Sequence, residues 1–281
     1  MNQYDSAGAL APAVTGTLSE IKPQASAEAP VLVVGLGEVG GPLLAVLRGT
    51  HQAEGRDVED RDFHGVQVLH LCFPFGPDFV PAASGYISRY RPEVAVVNST
   101  VVPGTTRSIE ETTGVPTVYS PVRGKHTHMT EELRRYRKFV AGSSAEAVSL
   151  VEHQFGAAGM TTQRMSSPEA LELAKLLETT YFGVLIAWAQ EMDRFAGSVA
   201  ADYWETLAFF EEIDFLPAVG FEPGFIGGHC IMPNLDLLEQ LRQSPFIDAM
   251  RASNDQRARE WQEHGRSTEH RLSPRALRPR G

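Results

Sequence analysis

The sequence predicts an α/β fold, in which a parallel sheet is followed by one long helix and a smaller helical region. Two observations predict it. Five short runs rich in β-branched residues alternate with segments long enough for helices, and this alternation is typical of a parallel sheet with right-handed crossovers. The pattern changes after Ser167, where apolar residues recur at helical spacing instead.

The bulk composition is that of an ordinary globular protein. With 281 residues, 42% hydrophobic and 21% charged, the chain can bury a full core. A net charge of −10 argues against a nucleic-acid partner, because neutralising phosphates needs a basic surface. The two cysteines, Cys72 and Cys230, form no disulfide framework, which favours a reducing compartment such as the cytoplasm. No apolar run approaches the roughly 20 residues of a membrane span, so we expect a soluble protein without a membrane partner.

Four parts are predicted along the chain. Residues 1–29 are rich in Ala, Ser and Pro and lack the pattern of a signal peptide, which predicts a disordered leader. Residues 30–166 hold the strand runs VLVVG, VQVLHLCF, EVAVVNST, VPTVYS and KFVAG. Residues 167–264 form a helical region. Residues 265–281, which are basic and polar with two prolines, are predicted to be a flexible tail.

A glycine motif directly follows the first strand run. Gly35, Gly37 and Gly40 stand in GxGxxG order before a helix pattern, and together with Glu38 and Val39 they are the predicted cofactor-binding residues of this turn. Glycines at these positions allow a sharp turn, close approach of a pyrophosphate and tight helix–strand packing, while the helix N-terminus presents N–H donors. In this context the motif predicts a Rossmann-type domain that binds NAD. The alternatives are a tight turn without a cofactor and a site for FAD or another nucleotide.

The connection after this motif is unusually short. About 20 residues further on, Asp57 is the predicted ribose ligand, with Glu59 and Asp60 as rivals. An acid here favours NAD over NADP because it repels a 2′-phosphate, although the adjacent Arg56 keeps NADP open. Only about 25 residues precede the run VQVLHLCF, so we expect a short second strand and a reduced or missing helix after it. The sheet is therefore predicted to be a reduced Rossmann-type sheet.

The segment after Ser167 predicts a long, largely buried helix from about Pro168 to about Ala196, with Gly183 as its weak point. A helical pattern continues through ADYWETLAFFEEI, breaks at the loop VGFEPGFIGGHCIMPN, and then resumes. Together these segments make the small helical region.

Three segments, NSTVVPGTT, the long helix and PGFIGGHCIMPN, resemble the UDP-glucose and GDP-mannose dehydrogenase family of NAD-dependent nucleotide-sugar oxidoreductases. The resemblance implies that Ser99 and Thr100, with Pro74 beside them, lie near the nicotinamide half of the cofactor. It implies that the long helix and its helical region form a homodimer. It also implies that Lys175 and Cys230 are catalytic.

The family's chemistry assigns roles to these residues. Members oxidise a primary alcohol twice: a cysteine captures the aldehyde, a second hydride transfer leaves a thioester, and water releases the acid. The thiolate is needed as nucleophile, and Lys175 would stabilise developing negative charge. Thr179 and Asn234 stand where the family has an asparagine and an aspartate, and are predicted to supply hydrogen bonds. Val122 replaces an acidic residue, so general-base activation of water is expected to suffer.

Each of these residues also has a purely structural interpretation. Cys230 is alternatively a small buried residue, and Lys175 alternatively a lysine at the helix surface. Cys72 is expected in the core. Binding of a polar substrate is predicted for Arg123, Lys125, His126 and His229, with a solvated loop as the equal alternative.

The resemblance stops before the family's second, nucleotide-binding domain. The expected substrate is therefore the alcohol of a sugar-like or nucleoside-like molecule, and no metal is expected. Two alternatives remain open: a redox-neutral NAD-dependent epimerase, and a catalytically inactive NAD-binding regulatory protein.

Overall fold

The computed structural model describes residues 27–28, 30–59, 61–124, 126–211, 213, 221–227 and 230–263. Nine strands lie within these ranges: β1 (Ala27–Glu28), β2 (Val31–Val34), β3 (Ala53–Arg56), β4 (Phe63–His64), β5 (Val68–Leu71), β6 (Val94–Val97), β7 (Thr117–Tyr119), β8 (Lys138–Gly142) and β9 (Thr162–Arg164). The described helices are α1 (Gly40–Arg48), α2 (Phe79–Tyr90), α3 (Thr105–Thr113), α4 (Met129–Arg135), α5 (Ala145–Ala157), α6 (Pro168–Ser198), α7 (Tyr203–Glu211), α8 (Ile231–Glu239) and α9 (Pro245–Glu263).

Seven strands form one sheet in the order β3-β2-β5-β6-β7-β8-β9. All neighbours are parallel except β7 and β8, which run antiparallel. In register, Val34 pairs with both Arg56 and Leu71, so the carboxyl ends of β2, β3 and β5 lie side by side. The predicted α/β fold is confirmed, and all five predicted strand runs contain a strand of this sheet.

The predicted short second strand is also found, and so is the missing helix after it within the described part of the chain. β3 has four residues, and among the described residues between β3 and β5 there is only the two-residue β4 and no helix. β4 pairs with β1, whose residues Ala27 and Glu28 fall within the segment predicted as a leader.

Alternation along the strands builds a core on each face of the sheet. In β2, Val31 and Val33 pack on the side of α1, α4 and α5, whereas Leu32 and Val34 pack on the side of α2 and α3. Successive side chains of a strand point to opposite faces, so an uninterrupted apolar run is what a sheet covered on both faces requires.

The long helix begins where the sequence predicts. Ser167 caps α6 by accepting a hydrogen bond from the Ala170 N–H at 3.1 Å, and Pro168 occupies the first turn. Gly183 is a packing position, because a Cβ there would lie 2.6 Å from Cγ2 of Ile231 on α8. The prediction of a largely buried helix is wrong for one face. Large apolar side chains on that face are 37% to 65% exposed: Leu173, Leu177, Tyr181, Trp188 and Phe195.

The predicted loop VGFEPGFIGGHCIMPN is wrong at its end, since Ile231 to Asn234 form the first turn of α8. α8 and α9 pack on α6 through an apolar cluster that includes Leu176, Ile231, Leu235 and Met250. Within the described ranges, no helix combines the length and apolar character needed to cross a membrane.

Candidate active site

The glycine turn between β2 and α1 has the geometry that the motif predicts. Gly35 has φ +86°, and a Cβ there would lie 2.9 Å from backbone atoms of Cys72 and Phe73. A Cβ on Gly40 would lie 1.8 Å from the Gly35 carbonyl oxygen. At Gly37, by contrast, no heavy atom lies within 4 Å of a Cβ position. Two glycines therefore permit the turn, and Gly37 leaves its backbone open to an incoming group.

The helix that follows this turn has no side-chain cap at its N-terminus. Val39 is the N-cap of α1 and makes no side-chain capping bond, and the first turn contains no acidic residue. The first N–H groups of a helix have no partner within the helix, and together with the helix dipole they attract an anion. Glu38 is exposed beside them.

The end of β3 separates an exposed acid from a buried base. Asp57 is exposed, directly after the strand. Arg56 is 9% exposed and donates a hydrogen bond to the Tyr90 hydroxyl, and its guanidinium lies 5.3 Å from the ring centre of Tyr86. The guanidinium is therefore buried and packs on aromatic rings.

The predicted nicotinamide-side residues lie at the carboxyl ends of β5 and β6. Ser99 donates a hydrogen bond from Oγ to the Phe73 carbonyl oxygen at 2.6 Å, which holds the chain after β6 against the chain before Pro74. Pro74 is exposed and Thr100 half-buried, so both line the surface of this edge. The structure thus brings Pro74, Ser99 and Thr100 together.

A buried glutamate on α6, which the sequence analysis missed, fixes the segment after this edge. Glu172 is 0% exposed and accepts hydrogen bonds from the Gly104 N–H (2.6 Å), the Thr106 N–H (2.9 Å) and the Thr106 hydroxyl (2.6 Å). Burial is the main influence on this carboxyl group and raises its pKa, while the three donors act in the opposite direction. The sequence signal that could have identified Glu172 is a charged residue on a helix face whose other residues are mostly apolar.

Lys175 lies one turn further along α6. Its Nζ donates to Glu178 Oε2 at 3.1 Å, and its side chain is only 15% exposed. Thr179 is buried, and its hydroxyl donates to the Lys175 carbonyl oxygen at 3.1 Å. The same hydroxyl lies 3.5 Å from Glu178 Oε2, and its lone pairs can accept a hydrogen bond from a further partner.

The two cysteines have different surroundings. Cys230 is exposed and is the N-cap of α8, whereas Cys72 is partly buried after β5. Burial raises the pKa of Cys72 to about 12. Burial also raises the pKa of Cys230, while the positive charge of Lys175 lowers it and Glu38 raises it. Lys175, Cys230 and Glu38 therefore share one electrostatic neighbourhood, beside the glycine turn.

The loop that leads to Cys230 is held by a second residue that the sequence analysis missed. Asn254 on α9 accepts a hydrogen bond from the Ile226 N–H at 2.7 Å and donates to the Ile226 carbonyl oxygen at 3.0 Å. Gln190 on α6 donates to the Gly224 carbonyl oxygen at 2.6 Å. Buried amides thus take the place of a neighbouring strand for this loop. Asn234 is buried one turn into α8.

The predicted substrate residues are only partly described. Arg123 is half-buried, donates to the Arg137 carbonyl oxygen at 2.8 Å and stacks on Phe139 at 4.8 Å, so its side chain follows β8. Lys125, His229 and the side chain of His126 lie outside the described residues.

Residues 169–256 match the sequence model of the UDP-glucose/GDP-mannose dehydrogenase family, central domain. This match extends from the start of α6 into α9 and includes Lys175 and Cys230. It confirms the resemblance that the sequence motifs indicate.

Two curated relatives show the same likeness. UDP-N-acetyl-D-mannosamine dehydrogenase of Methanococcus maripaludis is 25% identical over 165 residues, which are 57% of this chain and 38% of that protein. UDP-N-acetyl-D-glucosamine 6-dehydrogenase of Salmonella typhi is 30% identical over 156 residues, which are 50% of this chain and 36% of that protein. The chain therefore spans less than two fifths of the length of these relatives.

Among solved structures, a UDP-D-ManNAc dehydrogenase from Pyrococcus horikoshii superposes with a TM-score of 0.71 at 17% identity, covering 85% of this chain and 72% of that chain. At this level of identity, the likeness shows the fold.

Proposed function

Because residues 169–256 match the central domain of the UDP-glucose/GDP-mannose dehydrogenase family, we propose that this chain is an NAD-dependent dehydrogenase. Its proposed substrate is an alcohol of a sugar-like or nucleoside-like molecule. The observation that carries the proposal is that the glycine turn, Lys175 and Cys230 share one edge of the sheet. A parallel α/β sheet binds ligands at this edge, outside the carboxyl ends of its strands.

The residues at this edge fit a dinucleotide. The open backbone at Gly37 and the uncapped N-terminus of α1 would hold the pyrophosphate, and the exposed Asp57 would bind the ribose. The burial of Arg56 supports NAD over NADP, because its guanidinium is already engaged with the Tyr90 hydroxyl and the Tyr86 ring. We assign the nicotinamide half to Pro74, Ser99 and Thr100.

The proposed chemistry begins with the oxidation of CH–OH to a carbonyl. NAD, when bound, supplies the acceptor for the hydride. Lys175 stabilises the substrate oxygen as negative charge develops on it, and Glu178 holds the ammonium in place. We assign the orientation of the substrate to the lone pairs of Thr179 and the amide of Asn234.

Cys230 is proposed as the nucleophile for a carbonyl product. Its thiol must ionise before it adds, and the positive charge of Lys175 favours the thiolate. Val122 and Asn234 are both buried and neither can act as a general base, so neither can activate the water that hydrolyses a thioester after a second hydride transfer. The number of NADH molecules formed per substrate distinguishes one oxidation from two.

We also propose that the protein is a homodimer formed through α6. The exposed apolar side chains Leu173, Leu177 and Tyr181 follow one another at intervals of four residues, and therefore lie along one face of the helix. Contiguous exposed apolar surface of this kind marks a protein–protein contact.

The first experiment is to titrate the protein with NAD and NADP by calorimetry, and then to follow NADH absorbance with UDP-sugars, sugar phosphates, nucleosides and polyols. We expect NAD binding and NADH formation with one substrate class. Lys175→Ala should lower turnover at least about a hundredfold while NAD still binds, and Arg107→Ala, at an exposed ion pair, is the control. Binding without NADH formation would favour the epimerase or the regulatory protein, and failure to bind either cofactor would refute the proposal.

A further inference from the structure

Lys138 is a buried lysine that the proposed reaction does not use. It is the first residue of β8, and because β8 runs antiparallel to β7, its side chain lies at the carboxyl edge of the sheet. Its Nζ donates to the carbonyl oxygens of Ser120 (2.7 Å) and Pro121 (3.2 Å) and to Asn98 Oδ1 (3.4 Å). The side chain of Lys138 is inside the protein, since the residue is only 3% exposed.

Polar but largely uncharged groups surround this amine from the adjacent strands and from α5. His70 on β5 bonds Gln154 on α5 at 2.8 Å and Asn98 at 3.2 Å, and burial lowers the pKa of its ring to about 3. The Cys72 thiol, with a pKa of about 12, is also neutral. The centre of the Phe155 ring lies 5.2 Å from the Lys138 Nζ.

The charged side chains that act on the Lys138 ammonium are themselves positive. Burial is the main cause that lowers the pKa of Lys138; Cys72 acts in the opposite direction, and the positive charges of Lys175 on α6 and Arg123 after β7 lower it further. The pKa falls to about 7 as a result. Thus the amine is a cation below neutral pH and loses its charge above it.

We propose that Lys138 is a positioning residue of the nicotinamide end of the cofactor site, where its positive charge favours reduced over oxidised cofactor. This inference rests on the proposed function. Asn98, which accepts a hydrogen bond from Lys138, directly precedes Ser99, the residue assigned to the nicotinamide half. The nicotinamide ring is cationic when oxidised and neutral when reduced. A buried cation below this edge therefore repels only the oxidised form.

The test is the ratio of the Kd values for NAD and NADH, measured by calorimetry at about pH 6 and about pH 8.5. In the wild type this ratio should fall by about fivefold as the pH rises and Lys138 loses its charge. Lys138→Met should show the low ratio at both pH values. A merely structural role would weaken or strengthen both forms together and leave the ratio unchanged.

Two further variants keep the test clean. Gln154→Leu removes the hydrogen bond to His70 without changing any charge, so it should keep the wild-type ratio and its pH dependence. Lys138→Arg keeps the cation at both pH values, so its ratio should stay high. If the wild-type ratio does not change with pH, this inference is overturned and the proposed function is not. That result comes from the wild type, so it does not depend on whether the variants fold. Failure of both cofactor forms to bind overturns the proposed function with it.

Discussion

His70 is a histidine that the fold keeps neutral. A ring with its proton on Nε2 satisfies both neighbours, because it donates to Gln154 and accepts from Asn98 at Nδ1. Burial lowers its pKa from 6.5 to about 3, so between these values the unfolded chain binds a proton that the folded chain does not. Stability should therefore fall as the pH drops from 6.5 towards 3, by up to about 1.4 kcal/mol per pH unit.

Urea denaturation at several pH values in this window measures the effect. His70→Gln should have a flatter dependence of unfolding free energy on pH than the wild type, whatever its stability at neutral pH. Equal slopes for the two proteins would contradict the assignment.

Native alkylation should distinguish the two cysteines. Cys230 is exposed beside Lys175, whereas the neutral Cys72 thiol lies under the glycine turn. Iodoacetamide should therefore add one group per native chain, at Cys230, at a rate that rises with pH because the pKa of this thiol is raised. Peptide mass spectrometry locates the group. Cys230→Ser is the control and should take up no label until it is unfolded, and prior labelling of Cys72 would refute the prediction.

At the level of single residues, sequence motifs predicted the surroundings of a side chain better than the pattern of charged residues did. The sequence distinguished Cys72 from Cys230, because one follows an apolar strand run and the other follows paired glycines. It missed Lys138, which stands at the end of the basic stretch RRYRK and looks like another solvated charge. Only the antiparallel pairing of β8 turns this one side chain beneath the sheet edge, and no local pattern reports a pairing between distant segments.

At the scale of elements, Glu172 joins α6 to the start of α3. Glu172→Ala would leave the N–H groups of Gly104 and Thr106 and the Thr106 hydroxyl buried without an acceptor. The expected loss is about 3 kcal/mol of unfolding free energy, measured by urea denaturation. Glu169→Ala is a matched control, since its ion pair with Arg107 is partly exposed, and it should cost less than about 1 kcal/mol. Equal losses would show that Glu172 does not join these elements.

Asn254 makes the corresponding connection between α9 and the loop before Cys230. Asn254→Asp keeps an acceptor for the Ile226 N–H but loses the donor to its carbonyl oxygen, so the loop should loosen. We expect kcat to fall about tenfold, with the Kd of NAD unchanged within about twofold, because the glycine turn is not touched. The exposed neighbour offers a control, Asp255→Asn. A parallel rise in the Kd of NAD would contradict a role limited to this loop.

The boundaries of helices were predicted correctly where a local signal marks them. Ser167 and Pro168 fixed the start of α6 because a cap and a first-turn proline are local signals. The end of the loop before α8 was misjudged, since Ile231 to Asn234 read as a continuation of a Gly-rich loop although they form a helical turn. Gly183 looked like a defect in α6 because its contact, Ile231, is 48 residues away in the sequence.

At the scale of the whole molecule, the misjudged burial of α6 is itself informative. Apolar spacing alone cannot distinguish a helix face buried in its own chain from one that awaits a partner, because both exclude polar residues. The face with Leu176 and Ile186 is buried against α8 and α9, while the face with Leu177 and Trp188 is exposed.

The proposed dimer should depend on this exposed face. Light scattering after gel filtration should give twice the chain mass of 30.8 kDa. Leu177→Lys places a charge in the stripe of exposed apolar side chains formed by Leu173, Leu177 and Tyr181, and it should shift the mass towards that of the monomer, because burying an unpaired charge is costly. Val58→Lys also introduces a lysine at an exposed apolar residue, but one that lies after β3 and off the stripe, so it should leave the dimer intact. If Leu177→Lys remains dimeric, or if both variants dissociate alike, the contact lies elsewhere and the exposed face of α6 needs another partner.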